Sequence, residues 1–161
     1  MSKRICLNLG CGNDYRETTE EVEWINADKG KCRVDIQWDM EAGERPFSGL
    51  NPDYIDHIEA IQVLEHVSKE KFPEIIRELY RISKPDATWY VAVPHGFSDD
   101  YITDPTHKMP FSTRTFDYFV DGTPLRENGI IYGWGDVRLQ YSAAPQMDGN
   151  NSIHFHLRII K

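Results

Sequence analysis

The sequence predicts an α/β fold: an open, mostly parallel twisted sheet that ends with a late antiparallel strand. Three observations carry this. Short apolar runs bounded by turn residues recur along the first half, one long stretch of helical periodicity separates the fourth run from the fifth, and strict alternation marks the C-terminal segment.

The first run, Ile5-Cys6-Leu7-Asn8-Leu9, breaks into Gly10-Cys11-Gly12 and reads as a strand entering a turn. Further strands are expected at residues 24–27, 34–37, 58–62 and 88–93. The connections 13–23 and 29–33 are short, since parallel strands usually need about a dozen residues or more between them, and this predicts a pared-down sheet. Phe72, Ile75, Ile76, Leu79, Tyr80 and Ile82 recur at mostly three- and four-residue spacings, so one apolar stripe of a helix should pack on the sheet. Pro73 suits a first helical turn, where no backbone N–H is needed, although Ser68 is an alternative cap. Pro85 disfavours helical geometry at Lys84 and stops the helix. Strand, helix and strand then form a βαβ unit with right-handed crossover and a parallel pair. Beyond Pro94 a short helix is expected at 113–119 and strands at 137–141 and 153–160. In the last, Ile153, Phe155, Leu157 and Ile159 alternate with His154, His156 and Arg158, the period-two pattern of a strand with one apolar face.

A chain of 161 residues fits a single domain, 1–161, that buries roughly 70% of the surface its unfolded form exposes. Acidic residues outnumber basic ones, 26 to 18, without a lysine- or arginine-rich run to track phosphates, so nucleic acid is not an expected partner. The basic start Met1-Ser2-Lys3-Arg4 leads into a run too brief for a signal peptide, and no stretch approaches membrane-spanning length, so a cytoplasmic protein without a membrane partner is expected. Cys6, Cys11 and Cys32 are odd in number and lack CxxC spacing, which favours reduced thiols; Cys11 reads as a small turn residue rather than a nucleophile.

Glycines at 10 and 12 let the backbone adopt unusual dihedrals and approach a ligand closely, and Asp28, ending the next apolar run, can offer two acceptor oxygens to ribose hydroxyls. This is the pattern of a strand delivering a nucleotide-like cofactor to a turn.

Over roughly residues 4–95 the chain resembles a small, minimal class I S-adenosylmethionine-dependent methyltransferase with a Rossmann-like sheet. Leu7-Asn8-Leu9-Gly10-Cys11-Gly12 resembles the glycine-rich first motif, Trp24-Ile25-Asn26-Ala27-Asp28 the second strand with its ribose acid, and Val34-Asp35-Ile36-Gln37-Trp38-Asp39-Met40 the acidic segment beside adenine. Ile61-Gln62-Val63-Leu64-Glu65-His66-Val67 resembles the fourth strand and its exit, and Glu78-Leu79-Tyr80-Arg81-Ile82-Ser83-Lys84-Pro85 the helix end before strand five. Three places depart from the pattern: Asn8 where an acid is frequent, Asp14 where a third glycine is usual, and the segment Lys84-Pro85-Asp86-Ala87 in place of a glycine-containing turn.

The resemblance implies S-adenosylmethionine as cofactor. It would be bound by Asn8, Gly10, Cys11, Gly12, Asp28, Asp39, Met40, Gln62 and Val63, with Asp28 on the ribose diol, Asp39 near the adenine amino group and Met40 against the ring. His66 and His107 are the candidate catalytic residues, because an imidazole near neutrality can take a proton from a hydroxyl. The polar cluster His95, Asp99, Asp100, Asp104 and His107 reads as solvated loop charge, with ligation of a divalent ion that activates a substrate hydroxyl as the alternative; methyl transfer itself demands no metal. Of the aromatics Phe97, Tyr101, Phe111, Phe116, Tyr118 and Phe119, most should pack the small lobe. Family members commonly cover the site with helices ahead of the first motif; here the expected cover is residues 95–125, or a second subunit in a homodimer. The expected reaction is methyl transfer to a small-molecule acceptor at oxygen. The alternatives are a non-catalytic S-adenosylmethionine-binding module and an NAD-dependent oxidoreductase. The second is disfavoured because the third glycine of the dinucleotide fingerprint is missing and 13–23 hardly builds its helix.

Overall fold

The computed structural model describes residues 3–42 and 47–161. The strands are β1 (Arg4–Leu9), β2 (Val22–Asp28), β3 (Ile36–Gln37), β4 (Ile55–Ile61), β5 (Ser83–Pro94), β6 (Leu139–Met147) and β7 (Ser152–Ile159). Helices α1 (Phe72–Ile82), α2 (Asp99–Thr103) and α3 (Arg126–Ile131) join them, with 3₁₀ turns at Leu64–His66 and Thr115–Tyr118. One sheet runs in the order β3-β2-β1-β4-β5-β7-β6. β1 to β5 are mutually parallel, and β7 lies antiparallel to both β5 and β6, as the alternation in the last segment predicts. The expected strand at 34–37 shortens to Ile36–Gln37, because the Asp35 carboxylate accepts the Asn26 backbone and side-chain N–H groups instead of leaving that edge to strand pairing.

The register puts Ile25, Leu7, Ile58, Trp89 and Leu157 in one cross-sheet row and Ala27, Leu9, Ala60, Val91 and Phe155 in the row two residues on. Side chains two residues apart point to the same face, so these rows build one apolar face. The buried stripe of α1, with Ile76, Leu79 and Ile82, shares a single core with it. The intervening row is polar: Asn26, Asn8, Glu59, Tyr90 and His156. No helix lies between β1 and β2. Instead Arg16 reaches across this polar face, with its guanidinium 4.5 Å from the Trp24 ring centroid and 2.5 Å from a Glu59 carboxylate oxygen. Asn26 ties the same loop down through the Arg16 backbone N–H and carbonyl.

The departure at residues 84–87 has a local explanation. Asp86 takes φ +63°, a left-handed conformation that aspartate tolerates better than most residues, and the β4–β5 register shifts across this stretch. Phe111, Phe116 and Phe119 are core residues, whereas Phe97 is 89% exposed.

The chain runs outward from β1 through β2 to β3, then returns to β4 on the other side of β1. Reversal of strand order leaves a crevice beyond the carboxyl ends of β1 and β4, which is where open α/β sheets bind ligands.

Candidate functional site

A cavity of about 400 Å³ occupies that crevice. It collects Gly10, Gly12, Asp28, Asp39, Met40, Gln62, Val63 and His66 from the expected site, together with Trp38, Glu41 and Thr106.

The floor is the turn after β1. Gly10 and Gly12 sit at φ +69° and +49°. A Cβ on Gly10 would lie 2.3 Å from Val63 Cγ2, whereas one on Gly12 would meet nothing within 4 Å and would project into open space. The Gly10 and Cys11 amides donate to the Ala27 carbonyl, which fixes this turn to the end of β2. There Asp28 Oδ2 accepts the Gly12 N–H at 2.9 Å and Oδ1 accepts the Gly30 N–H at 2.6 Å. A carboxylate has about four lone-pair sites, so each oxygen keeps acceptor capacity for a diol while its position is fixed by backbone. Asp39 Oδ1 accepts the Glu41 N–H at 2.9 Å, and Glu41 joins the Ser68 N–H to the Lys108 ammonium. Trp38 packs edge-on to Phe47 with centroids 4.7 Å apart, and forms the apolar side of the cavity with Met40.

Three of the expected site residues lie outside the lining. Asn8 is buried on the polar face, where its Nδ2 donates to the Asp14 carbonyl (2.7 Å) and Asn26 Oδ1 (3.1 Å). Cys11 is buried, and burial, with Cys32 beside it, pushes its thiol up to about 11, far from a nucleophile's range. His107 stands behind His66, with ring centroids 4.8 Å apart.

His66 ends the 3₁₀ turn after β4 and faces the cavity. Its Nδ1 lies 3.0 Å from Thr106 Oγ1, and that hydroxyl donates to Asp104 Oδ1 at 2.6 Å. With the threonine proton committed to Asp104, Nδ1 is the donor and the His66 lone pair resides on Nε2. Burial and the neighbouring His107 hold the His66 imidazole below its usual range, so the ring is neutral at neutral pH. The sequence gives little sign of the residue beneath it: Glu65 is fully buried, both of its carboxylate oxygens lack a hydrogen-bond partner, and burial pushes its carboxyl up to about 7. Segment 98–109 runs beside this corner, since Lys108 and Met109 donate their N–H groups to the Glu65 carbonyl. Of the polar loop cluster, Asp104 and His107 come to the site, while His95 and Asp99 line a separate hollow with Met147 and Asn151.

Solved structures share this architecture. An S-adenosylmethionine-dependent methyltransferase from Archaeoglobus fulgidus superposes over 97% of this chain and 86% of its own, with TM-score 0.61 and 16% identity. One from Aquifex aeolicus covers 98% and 84%, with TM-score 0.60 and 13% identity. The chain has the fold of S-adenosylmethionine-dependent methyltransferases. A third match, the protein complexed with the Trm112 methyltransferase activator of Haloferax volcanii, covers 99% of this chain and 84% of its own at TM-score 0.65 and 12% identity. No protein-family model and no curated protein sequence matches the chain. Among the described residues, no helix is long and apolar enough to cross a membrane.

Proposed function

We propose that this methyltransferase-fold chain transfers a methyl group from S-adenosylmethionine to a hydroxyl of a small-molecule acceptor. The observation that carries the reading is the convergence, in one cavity at the reversal of strand order, of the open Gly12 turn, the backbone-clamped Asp28 and His66, whose ring is oriented by Thr106. S-adenosylmethionine supplies an electrophilic carbon: its bond to sulfur breaks, leaving the electron pair on sulfur, as a bond to the acceptor oxygen forms.

This chain's residues have the remaining tasks. Asp28 holds the ribose diol. Asp39, Trp38 and Met40 form the adenine side, and the Gly10–Gly12 turn with Gln62 and Val63 borders the methionyl tail. His66, with His107 behind it, meets the acceptor hydroxyl and favours its deprotonated form, because unprotonated imidazole nitrogen is available there near neutral pH. Segment 98–109 supplies cover through Thr106 and through the Lys108–Glu41 ion pair at 3.0 Å. Without a helix after β1, no helix N-terminus stands ready for a dinucleotide pyrophosphate, which disfavours NAD.

Calorimetry with S-adenosylmethionine, its demethylated product and NAD tests the cofactor; labelled methyl transfer to a panel of sugars and phenols tests the reaction. The expected result is one site for the first two ligands, none for NAD, and turnover that His66→Ala removes while product affinity stays within about threefold, far below a tenfold change worth 1.4 kcal/mol. Failure of the folded protein to bind either methyl-donor form refutes the reading.

A further inference from the structure

We propose that Glu65, His66 and His107 form a binding site for one divalent transition-metal ion at the edge of the cavity. Their three ligand atoms lie within 4.8 Å of one another. Glu65 is the decisive observation: its side chain is only 1% exposed, yet neither carboxylate oxygen meets a donor. Buried carboxylates are ordinarily paired, because removing them from water costs far more than any packing gain.

What faces Glu65 is another acceptor. His107 Nδ1 is 2.9 Å from the Tyr101 carbonyl, an oxygen that can only accept, so in the neutral ring the proton sits on Nδ1 and the lone pair on Nε2. That Nε2 lies 4.0 Å from Glu65 Oε1 and 3.7 Å from Asp104 Oδ2. His66 is oriented in the same manner, its Nδ1 engaged with Thr106 and its other nitrogen left unprotonated. Lys108, a nearby cation, is committed to Glu41. The cluster therefore gathers an unpaired carboxylate and two imidazoles within 4.8 Å of one another, and what it lacks is a positive centre. Ligands on about 2.1 Å bonds stand roughly 3.4 Å apart around a tetrahedral ion, so Glu65 and His107 need to close by about half an ångström and no pair in the cluster by more than about 1.4 Å.

The donor set selects the ion. Two imidazoles and one carboxylate suit manganese, iron, cobalt or zinc in preference to magnesium or calcium. Outer-shell partners are already in place, with the Tyr101 carbonyl behind His107 and the Thr106–Asp104 pair behind His66. By contrast Cys11, Asp28 and Cys32 also come together, but the Asp28 oxygens already take backbone N–H groups. The consequence for chemistry rests on the methyl-transfer reading. With the ion bound, the free His66 lone pair goes to the metal instead of to the hydroxyl: an acceptor hydroxyl at an open position of the ion loses its proton to water and keeps its oxygen electron pair beside the methyl group, and both imidazoles act as ligands.

The test starts from untagged, chelator-stripped protein titrated with Mn²⁺ and Co²⁺ by calorimetry, without S-adenosylmethionine. One ion per chain is expected, and pulsed EPR of the Mn²⁺-loaded wild type should record coupling to imidazole nitrogen. Glu65→Gln and His107→Ala should each weaken Co²⁺ binding beyond the 10- to 100-fold typical of outer-shell changes. His95→Ala and Asp99→Asn should leave it unchanged. Absence of one-to-one binding, or bound Mn²⁺ without imidazole coupling, overturns the proposal, as does affinity that survives His107→Ala. Calorimetry with the demethylated cofactor in the metal-free protein reads the methyl-transfer proposal separately, so failure of one is distinguishable from failure of the other.

Discussion

Replacing Gly10 by alanine isolates the contact that locks β1 to β4. The added Cβ would fall 2.3 Å from Val63 Cγ2 and 2.5 Å from Val63 Cβ, and the position is held at φ +69°. Left-handed backbone costs a residue with a Cβ about 1–2 kcal/mol, and overpacking a filled site costs typically about 1–3 kcal/mol more. The sum, about 2–5 kcal/mol, is a large share of the about 5–15 kcal/mol that keeps a domain folded. At about 2–4 °C per kcal/mol for this size, the midpoint should drop by about 4–20 °C. Gly12→Ala is the matched control: φ is +49°, but its Cβ meets nothing, so only the backbone cost of about 1–2 kcal/mol applies. Differential scanning calorimetry of both variants, without ligand, makes the comparison. Val63→Ala removes the contacts with Cγ2 and Cγ1 but leaves Cβ, so the double variant should recover part of the loss as a favourable coupling. Equal midpoints for Gly10→Ala and Gly12→Ala would refute the steric argument.

Asp28→Asn replaces one acceptor oxygen with a donor that must face either the Gly12 or the Gly30 N–H, and it removes the charge; binding of the demethylated cofactor should weaken by roughly 10- to 100-fold in calorimetry. Asn8→Ala should instead lower stability by roughly 1–3 kcal/mol, by removing the Asn8 donor from the Asp14 carbonyl and leaving Asn26 Oδ1 with the Arg16 N–H alone, with cofactor affinity retained; urea titration beside ligand titration separates the two effects. Burial alone would push the Asp56 carboxyl up, yet the Ile5 N–H and the Lys84 ammonium hold it below its ordinary value. A depressed folded value means the stabilisation is present above about pH 4 and is lost as pH falls through that lower value. Wild type should therefore exceed Asp56→Asn in urea midpoint at pH 7, and the gap should shrink toward pH 3; a gap independent of pH would contradict the assignment.

The parts of the site written in contiguous residues were legible in the sequence. Gly10, Gly12 and Asp28 announce themselves because a turn at the end of one strand and an acid at the end of the next need only local geometry. Placing Asn8 in the pocket rested on its position in a motif, and strand alternation overrules that: residues 7 and 9 face the core, so residue 8 points to the opposite face. Glu65 gave no signal, since a glutamate between Leu64 and His66 looks like any solvated turn residue; its burial arises from segment 98–109 folding over it. His107 meets His66 only through that same long-range closure, which brings Thr106 to His66 across a sequence separation of 40. α2 and α3, of five and six residues, are too short to establish a periodicity.

The sparse polar face need not weaken the site, because what the site takes from that face, Asp28, stands at the end of its strand and is fixed there by backbone amides. The cavity lies beyond the strand ends, and each of its fixed points is held by main chain: Gly10 and Cys11 on the Ala27 carbonyl, Asp28 on two amides, Gln62 on the Ala92 carbonyl, and Lys108 and Met109 on the Glu65 carbonyl. A crossover helix above that face would bury Asn8, Asn26 and Glu59; Arg16 and its loop accomplish this with an ion pair and two side chain to backbone hydrogen bonds. The helix that does remain, α1, covers the face carrying the apolar rows, where exposure would be far more costly. Economy is thus confined to the side of the sheet where polar residues already made covering dispensable.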